Sequence, residues 1–225
     1  MSTDASVVAP TQLEVELGYF TLERVGGQIS YTTPDLVLNY GLVNAVEIVG
    51  EFGIEQPQET GDVADPGLFL KAVLRPGVLQ GAGGISVAME AGPLLPSTKE
   101  GERGVGFEGL GIASGRWSDL TFHLNAGGGV DRSANDPFAL WGAIVELPAF
   151  ESVRVVGEVN GESTRGQSPV VSALLGAIWN VRSAAIDGGV RRGLTPAAPD
   201  WELTLGLTFS FSTPEFFAGI KERER

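Results

Sequence analysis

The sequence contains no cysteine and only one histidine, His123, among its 225 residues. Without cysteine the chain cannot form a disulfide framework, a thiolate metal site or a cysteine nucleophile. Without a second histidine a transition-metal site is disfavoured, because such sites are built mainly from imidazole and thiolate ligands. The sequence therefore gives no indication of a metal or of any other cofactor.

Long apolar runs are also missing from the sequence. No run reaches the ~20 residues that a membrane-spanning helix needs. Residues 1–10 lack both the basic start and the apolar stretch of a secretory signal. If the protein is exported, we expect the given sequence to be a mature form from which the signal peptide is absent.

Positive charge is scarce, with 15 Lys and Arg against 28 Asp and Glu and a formal net charge of −13. Nucleic acid is therefore disfavoured as a partner, because its phosphates are bound by clustered Lys and Arg. The acidic excess is typical of a solvated surface, and it is also compatible with a cavity that attracts cations.

Glycine is abundant, with 32 residues, against about 7% of an average protein. Each glycine inside a helix costs up to roughly 1 kcal/mol relative to alanine, so this richness argues against long helices. It suits curved strands, in which small residues relieve crowding.

The dominant hydrophobic period is two. From Trp201 to Phe211 every second residue is apolar, and the residues between them are Glu, Thr, Gly and Ser. This unbroken alternation predicts a strand, and its length matches the ~9–11 residues that a tilted strand needs to cross a bilayer. Strands of soluble proteins are usually shorter, at about five or six residues.

The same alternation recurs along the chain and predicts about 12 strands. Short connections are expected near 43–44, 116–119, 148–152 and 181–183, and longer ones at 24–34, 56–67, 93–104, 131–137, 160–169 and 193–200. Short turns at one rim and long loops at the other are typical of outer-membrane barrels, although the link 76–84 is longer than a tight turn. We predict a flexible N-terminal segment at 1–11, a transmembrane β-barrel at 12–212 and a periplasmic C-terminal tail at 213–225.

Alternation alone does not decide which face of each strand meets water. Closing about 12 strands leaves an interior too wide for a dry apolar core, whereas a polar lining can hold water. Within lipid every backbone amide and carbonyl must be paired, so a sheet must close on itself. We therefore predict an all-β fold, a closed antiparallel transmembrane β-barrel of the bacterial outer membrane. A soluble, lipocalin-like binder with the opposite orientation is the alternative.

This orientation places one set of polar and charged side chains inside the barrel. Acids outnumber bases in that set, so an open lumen would favour cations. In the alternative arrangement, the basic residues pair with carboxylates and plug the lumen. The sequence does not decide between these two arrangements. The predicted lumen-lining residues are Glu14, Glu16, Glu47, Glu51, Glu55, Lys71, Arg75, Glu90, Glu108, His123, Asn125, Glu146, Arg154, Glu158, Asp187, Arg191 and Glu202.

His123 and Asn125 raise the question of catalysis, because the outer-membrane phospholipase uses Ser, His and Asn. The motif around the catalytic residues of that family is absent here. The glycines at 81–84 and 127–129 are not phosphate loops, because no Lys followed by Ser or Thr comes after them. We therefore expect no catalytic residues and no enzymatic activity.

The stretch from Leu36 to Glu47 contains Tyr40–Gly41–Leu42 and a turn at Val43–Asn44. Together with the Glu-rich first strand, Leu13 to Tyr19, and the closing strand, Trp201 to Phe211, it resembles an outer-membrane family assigned to the MetA pathway of phenol degradation. The likeness is one of pattern and spacing over most of the chain. The family usually has Thr-Asp in the turn where this chain has Val43–Asn44. The resemblance implies passage of small compounds, with aromatic ones as candidates, and it supplies no catalytic residues.

The predicted function is thus that of a porin-like barrel that gives small solutes passive passage, with a weak cation preference. The expected partners are the lipid bilayer, small-molecule solutes and the barrel-assembly machinery. A plugged structural or ligand-binding barrel without transport is the alternative. The sequence leaves the solute and the oligomeric state open.

Overall fold

The computed structural model describes residues 3–56 and 61–214. Twelve antiparallel strands form one closed barrel, which confirms the predicted fold class. The strands are β1 (Gln12–Val25), β2 (Gln28–Val43), β3 (Val46–Gln56), β4 (Asp62–Arg75), β5 (Ser86–Leu94), β6 (Gly106–Trp117), β7 (Leu120–Val130), β8 (Pro137–Phe150), β9 (Val153–Thr164), β10 (Val170–Val181), β11 (Ala184–Gly193) and β12 (Trp201–Ser212). No helix within the described ranges is long and apolar enough to cross a membrane.

The barrel is closed by the pairing of β1 with β12. Their ladder runs from Gln12 opposite Ser212 to Arg24 opposite Trp201, with one register shift between Gly18 and Phe20. Every other strand pairs with its neighbours in the sequence. The closed sheet therefore has no free edge, and its backbone groups are paired around the whole circumference.

The two ends of the barrel differ in their connections. The end at which β1 begins and β12 finishes, here called the terminal end, carries the two-residue turns 44–45, 118–119, 151–152 and 182–183 and the longer link 76–85. The opposite end, here called the loop end, carries the described connections 95–105, 131–136, 165–169 and 194–200. This asymmetry follows the predicted alternation of short and long connections. Residues 215–225 of the predicted C-terminal tail lie outside the described residues.

The first hairpin corrects one prediction. A loop was expected at 24–34, but β1 and β2 continue to a two-residue turn at Gly26–Gly27. Both glycines have positive φ, 55° and 88°, as a type I′ hairpin turn requires. The polar Ser and Thr residues that follow this turn hide the apolar alternation of β2, and the Gly–Gly pair was the available signal.

A small apolar core lies inside the barrel near the terminal end. The link 76–85 contains a short 3-10 helix, Val78–Gln80. Leu79 of this helix packs against a buried cluster that includes Ala5, Leu110 and Ile112. The link and the start of the chain therefore fill part of the interior that the strands enclose.

Candidate solute pathway through the barrel

Large apolar side chains cover the outside of the barrel. Leu70 on β4, Leu175 on β10 and Leu205 on β12 are all exposed. Trp117 and Phe150 are exposed beside the short turns of the terminal end. The arrangement is the inverse of a soluble barrel and matches a surface that contacts lipid tails between aromatic girdles.

The residues that are predicted to line the lumen differ in burial. Glu47, Lys71, His123 and Asn125 are buried. Arg75 is exposed at the end of β4, where a register shift interrupts the ladder to β5. Those that are partly buried are Glu14, Glu16, Glu51, Glu55, Glu90, Glu108, Glu146, Arg154, Glu158, Asp187, Arg191 and Glu202.

On one side of the lumen, opposite charges are paired across neighbouring strands. An Nη1 of Arg154 on β9 donates to Oε2 of Glu146 on β8, at 2.7 Å. Arg191 on β11 lies between two carboxylates, 3.6 Å from Glu158 Oε2 and 3.5 Å from Glu202 Oε2. We call these five residues of β8, β9, β11 and β12 the paired wall. Its positive charges are largely neutralised within the protein.

On the other side, three carboxylates project inward from β3, β5 and β6. These residues, Glu51, Glu90 and Glu108, form what we call the acidic wall. Within the described part of the chain none of them has a basic group at salt-bridge distance. Lys71 on β4 lies between them, but its Nζ is 3.5 Å from Glu47 Oε1. The acidic wall therefore brings three carboxylates to one side of the lumen.

Neutral donors hold two further carboxylates on β1. Asn39 Nδ2 donates to Glu16 Oε1 at 2.6 Å, and Ser210 Oγ donates to Glu14 Oε2 at 2.7 Å. Hydrogen bonds from uncharged groups orient a carboxylate without neutralising its charge. They add to the negative potential of the lumen.

The start of the chain lies inside the lumen. The backbone N–H of Thr3 donates to Asn125 Oδ1 at 2.8 Å, and Asn125 Nδ2 donates back to the Thr3 carbonyl at 2.9 Å. The N–H of Ala5 donates to Ser114 Oγ at 3.0 Å, and that of Val8 to Glu47 Oε2 at 2.6 Å. Residues 1–11 are predicted to be a flexible segment, and in the structure Thr3, Ala5 and Val8 of this segment have partners on β7, β6 and β3.

Two further features fit this inserted segment to the barrel. A Cβ at Gly41 would lie 2.1 Å from the carbonyl oxygen of Ala9, so the backbone can pass only because β2 has glycine there. Gln80, on the 3-10 helix of the link 76–85, donates to the carbonyl of Ala5 at 2.8 Å. The link and the segment therefore form one unit inside the terminal end.

Two cavities open inside the barrel, one towards each end. One, of about 300 Å³, reaches the turn 118–119 of the terminal end and is lined by Asp4, His123 and Glu146, among others. The other, of about 340 Å³, reaches the loop 194–200 and is lined by residues that include Asn125 and Arg191. The segment Thr3–Ala5 lies where the two cavities approach each other.

A polar network around His123 joins the segment to the barrel wall. Nδ1 of His123 is 2.8 Å from Ser114 Oγ, which also accepts the Ala5 N–H. Nε2 is 3.6 Å from Glu146 Oε1. The order Ser–His–carboxylate is shared with serine hydrolases, but Ser114 is 0% exposed and lies under Ala5. Sequence reasoning missed Ser114, although it lies at an inward position of β6 opposite His123.

Charged residues also connect the loops at the loop end. Arg132 Nη1 lies 2.8 Å from Asp65 Oδ1 and 3.7 Å from Glu102 Oε2, which joins the connections 131–136 and 95–105 to β4. Lys99 Nζ lies 2.7 Å from Glu55 Oε2. Partial burial lowers the pKa of Lys99, but the hydrogen bond and charge of Glu55 outweigh it, so the pKa lies above its usual value. No cluster of side chains suited to a metal ion is found among the described residues.

Solved structures with this architecture include outer-membrane porins and channels. NanC porin superposes with a TM-score of 0.64 over 88% of this chain and 98% of its own, at 11% identity. An outer membrane channel from Pseudomonas putida F1 gives 0.63 over 92% and 97%, at 9% identity. KdgM porin gives 0.61 over 89% and 99%, at 10% identity. No protein-family model and no curated protein matches the sequence, so the resemblance to the MetA-pathway family stays a prediction. The structural likeness establishes the fold.

Proposed function

We propose that this protein is an outer-membrane channel that gives small solutes passive passage. The observation that carries the proposal is the inverted barrel, with an apolar outer surface and an interior lined by ionisable side chains. A polar lining replaces part of the hydration shell of an ion or a small polar solute, and an apolar exterior matches lipid. The terminal end, with its short turns, would face the periplasm.

Cation preference follows from the uneven distribution of charge in the lumen. The bases of the paired wall are bound by carboxylates, whereas the carboxylates of the acidic wall form no salt bridge with the residues that the structure describes. A narrow lumen surrounded by low-dielectric protein strengthens the attraction of cations to such a wall. We propose that small cations and small polar solutes pass more readily than anions of similar size.

The N-terminal segment is proposed to restrict this pathway. Residues 3–8 lie in the lumen between the two cavities and bind to three strands. Each backbone hydrogen bond contributes only about 1 kcal/mol net, so the inserted segment can be displaced without unfolding the barrel. The full chain should therefore conduct weakly and the shortened chain strongly.

Single-channel recording in planar bilayers tests the channel and its restriction together. We compare the full chain with a chain that begins at Ala9, both refolded in the same detergent. The shortened chain should show a several-fold higher conductance and should be permeated more by K⁺ than by Cl⁻. A matched control replaces exposed Ser168 in the loop 165–169 by Ala and should behave as the full chain does. Anion preference, or equal conductance of the full and shortened chains, would contradict the proposal.

A barrel with a plugged lumen is the second candidate. The N-terminal segment favours this candidate, because the hydrogen bonds of Thr3, Ala5 and Val8 hold it inside the barrel. A shortened chain that folds but carries no current would support this candidate over a channel. We propose no enzymatic activity, since Ser114 is covered and lines neither cavity.

A further inference from the structure

His123 lies between the barrel wall and the inserted N-terminal segment. We propose that protonation of His123 holds this segment in the lumen, so that acid closes the pathway and a rise in pH opens it. The inference rests on the proposed channel function and adds a regulatory group to it.

The contacts of His123 favour one tautomer of its neutral ring. Ser114 Oγ accepts the N–H of Ala5, so its own hydroxyl proton is free to be donated to Nδ1 of His123 at 2.8 Å. Neutral His123 then carries its proton on Nε2. That nitrogen is buried and has no hydrogen-bond partner among the residues the structure describes. A second proton on the ring would place a full charge at this site.

Carboxylates near the ring would stabilise that charge. Glu146 Oε1, on β8, is 3.6 Å from Nε2, while the other oxygen of Glu146 is bound to Arg154 of β9. Asp4, on the inserted segment, lines the same cavity and accepts hydrogen bonds from Ser6. An imidazolium therefore attracts a carboxylate of the wall and a carboxylate of the segment at the same time.

The basic groups in this region have partners of their own. Arg154 is bound to Glu146, and Lys71 lies between Glu47 and the hydroxyl of Thr3. Arg116 and Asp119 lie at the mouth of the cavity, one of each charge. Attachment of the segment should therefore be strongest in acid, where the ring carries its second proton, and should weaken as the pH rises.

The absence of cysteine permits a direct test of segment motion. A nitroxide spin label is attached to the single cysteine of Val7→Cys in the refolded full chain. The label should be immobile at pH 5 and become mobile at pH 8. In the combination with His123→Gln, which can still bond to Ser114 but does not titrate, the spectrum should not change with pH. Asp4→Asn, a change on the segment that leaves every strand intact, should reduce the pH response.

Conductance gives a second readout of the same event. The full chain should conduct several-fold more at pH 8 than at pH 5, and the chain that begins at Ala9 should show no such change. A label that responds equally with and without His123, or that does not respond at all, overturns the inference. If no chain conducts, the channel proposal fails, and the label still decides whether His123 holds the segment.

Discussion

The two sides of the lumen carry the same kinds of residue in different states of pairing. On the paired wall, Arg154 and Arg191 lie within 4 Å of three carboxylates. On the acidic wall, Glu51, Glu90 and Glu108 have no such partner in the described part of the chain. The paired wall is stabilised by opposite charges, and the acidic wall concentrates negative charge.

This difference separates two roles of ionisable residues in a barrel. A partly buried ion pair resists the loss of either partner, because the remaining charge is left without compensation. Unpaired carboxylates that face water contribute little to stability, but they set the potential that a passing ion meets. The paired wall should therefore govern stability and the acidic wall should govern selectivity.

The largest expected effect tests what the two walls share, which is an apolar outer surface. Leu70→Arg, behind the acidic wall, and Leu175→Arg, behind the paired wall, should each lower the free energy of unfolding by about 3 kcal/mol. Both side chains are more than half exposed, at 51% and 66%. Urea unfolding in lipid vesicles measures the change, and Ser168→Arg in an exposed loop is the control. If both variants lost no more free energy of unfolding than Ser168→Arg does, the outer surface would face water.

A smaller loss is expected inside the paired wall. Arg191→Met removes the charge between Glu158 and Glu202, and should cost about 2 kcal/mol, which is below the value for a dry buried pair because the lumen holds water. The same unfolding measurement applies, with Arg165→Met in an exposed loop as the control. Adding Glu158→Gln to the Arg191 variant should restore part of the loss. If Arg191→Met left the free energy of unfolding unchanged, the stability of the paired wall would not depend on its ion pairs. The proposed difference between the two walls would then be wrong.

Local pattern explains how much of this arrangement the sequence could predict. The period of two requires no knowledge of distant residues, so it predicted the closed barrel and the inward positions of Glu47 and His123. Pairing depends on register across strands, which brings Arg191 beside Glu158 and Glu202. The pattern shows which residues point inward, but not which of them meet.

The inserted segment shows where that pattern stops. Residues 3–10 have no hydrophobic period, and Thr3 binds Asn125, a partner 122 residues away in the chain. Gly41 makes room for Ala9, but nothing in the sequence distinguishes it from the other glycines of the strands. A contact that relies on small side chains and backbone amides leaves no signature that a single sequence can display.

The smallest change in stability, and the clearest change in selectivity, is expected on the acidic wall. Combined replacement of Glu51, Glu90 and Glu108 by Gln keeps their size and removes like charges, so the free energy of unfolding should stay within about 0.5 kcal/mol or rise slightly. The ratio of K⁺ to Cl⁻ permeability should fall several-fold, measured as the reversal potential across a salt gradient in the chain that begins at Ala9.

A matched replacement on the paired wall completes this comparison. Glu158→Gln leaves Arg191 beside Glu202, so it takes this group of three residues from one net negative charge to neutrality. Glu158→Gln should change the permeability ratio by less than one third of the change that the combined replacement of Glu51, Glu90 and Glu108 produces. The reason is that Arg191 opposes the charge of Glu158. Equal effects per carboxylate on the two walls would mean that ions respond to the total charge of the lumen. Unequal effects would locate the selectivity in the acidic wall.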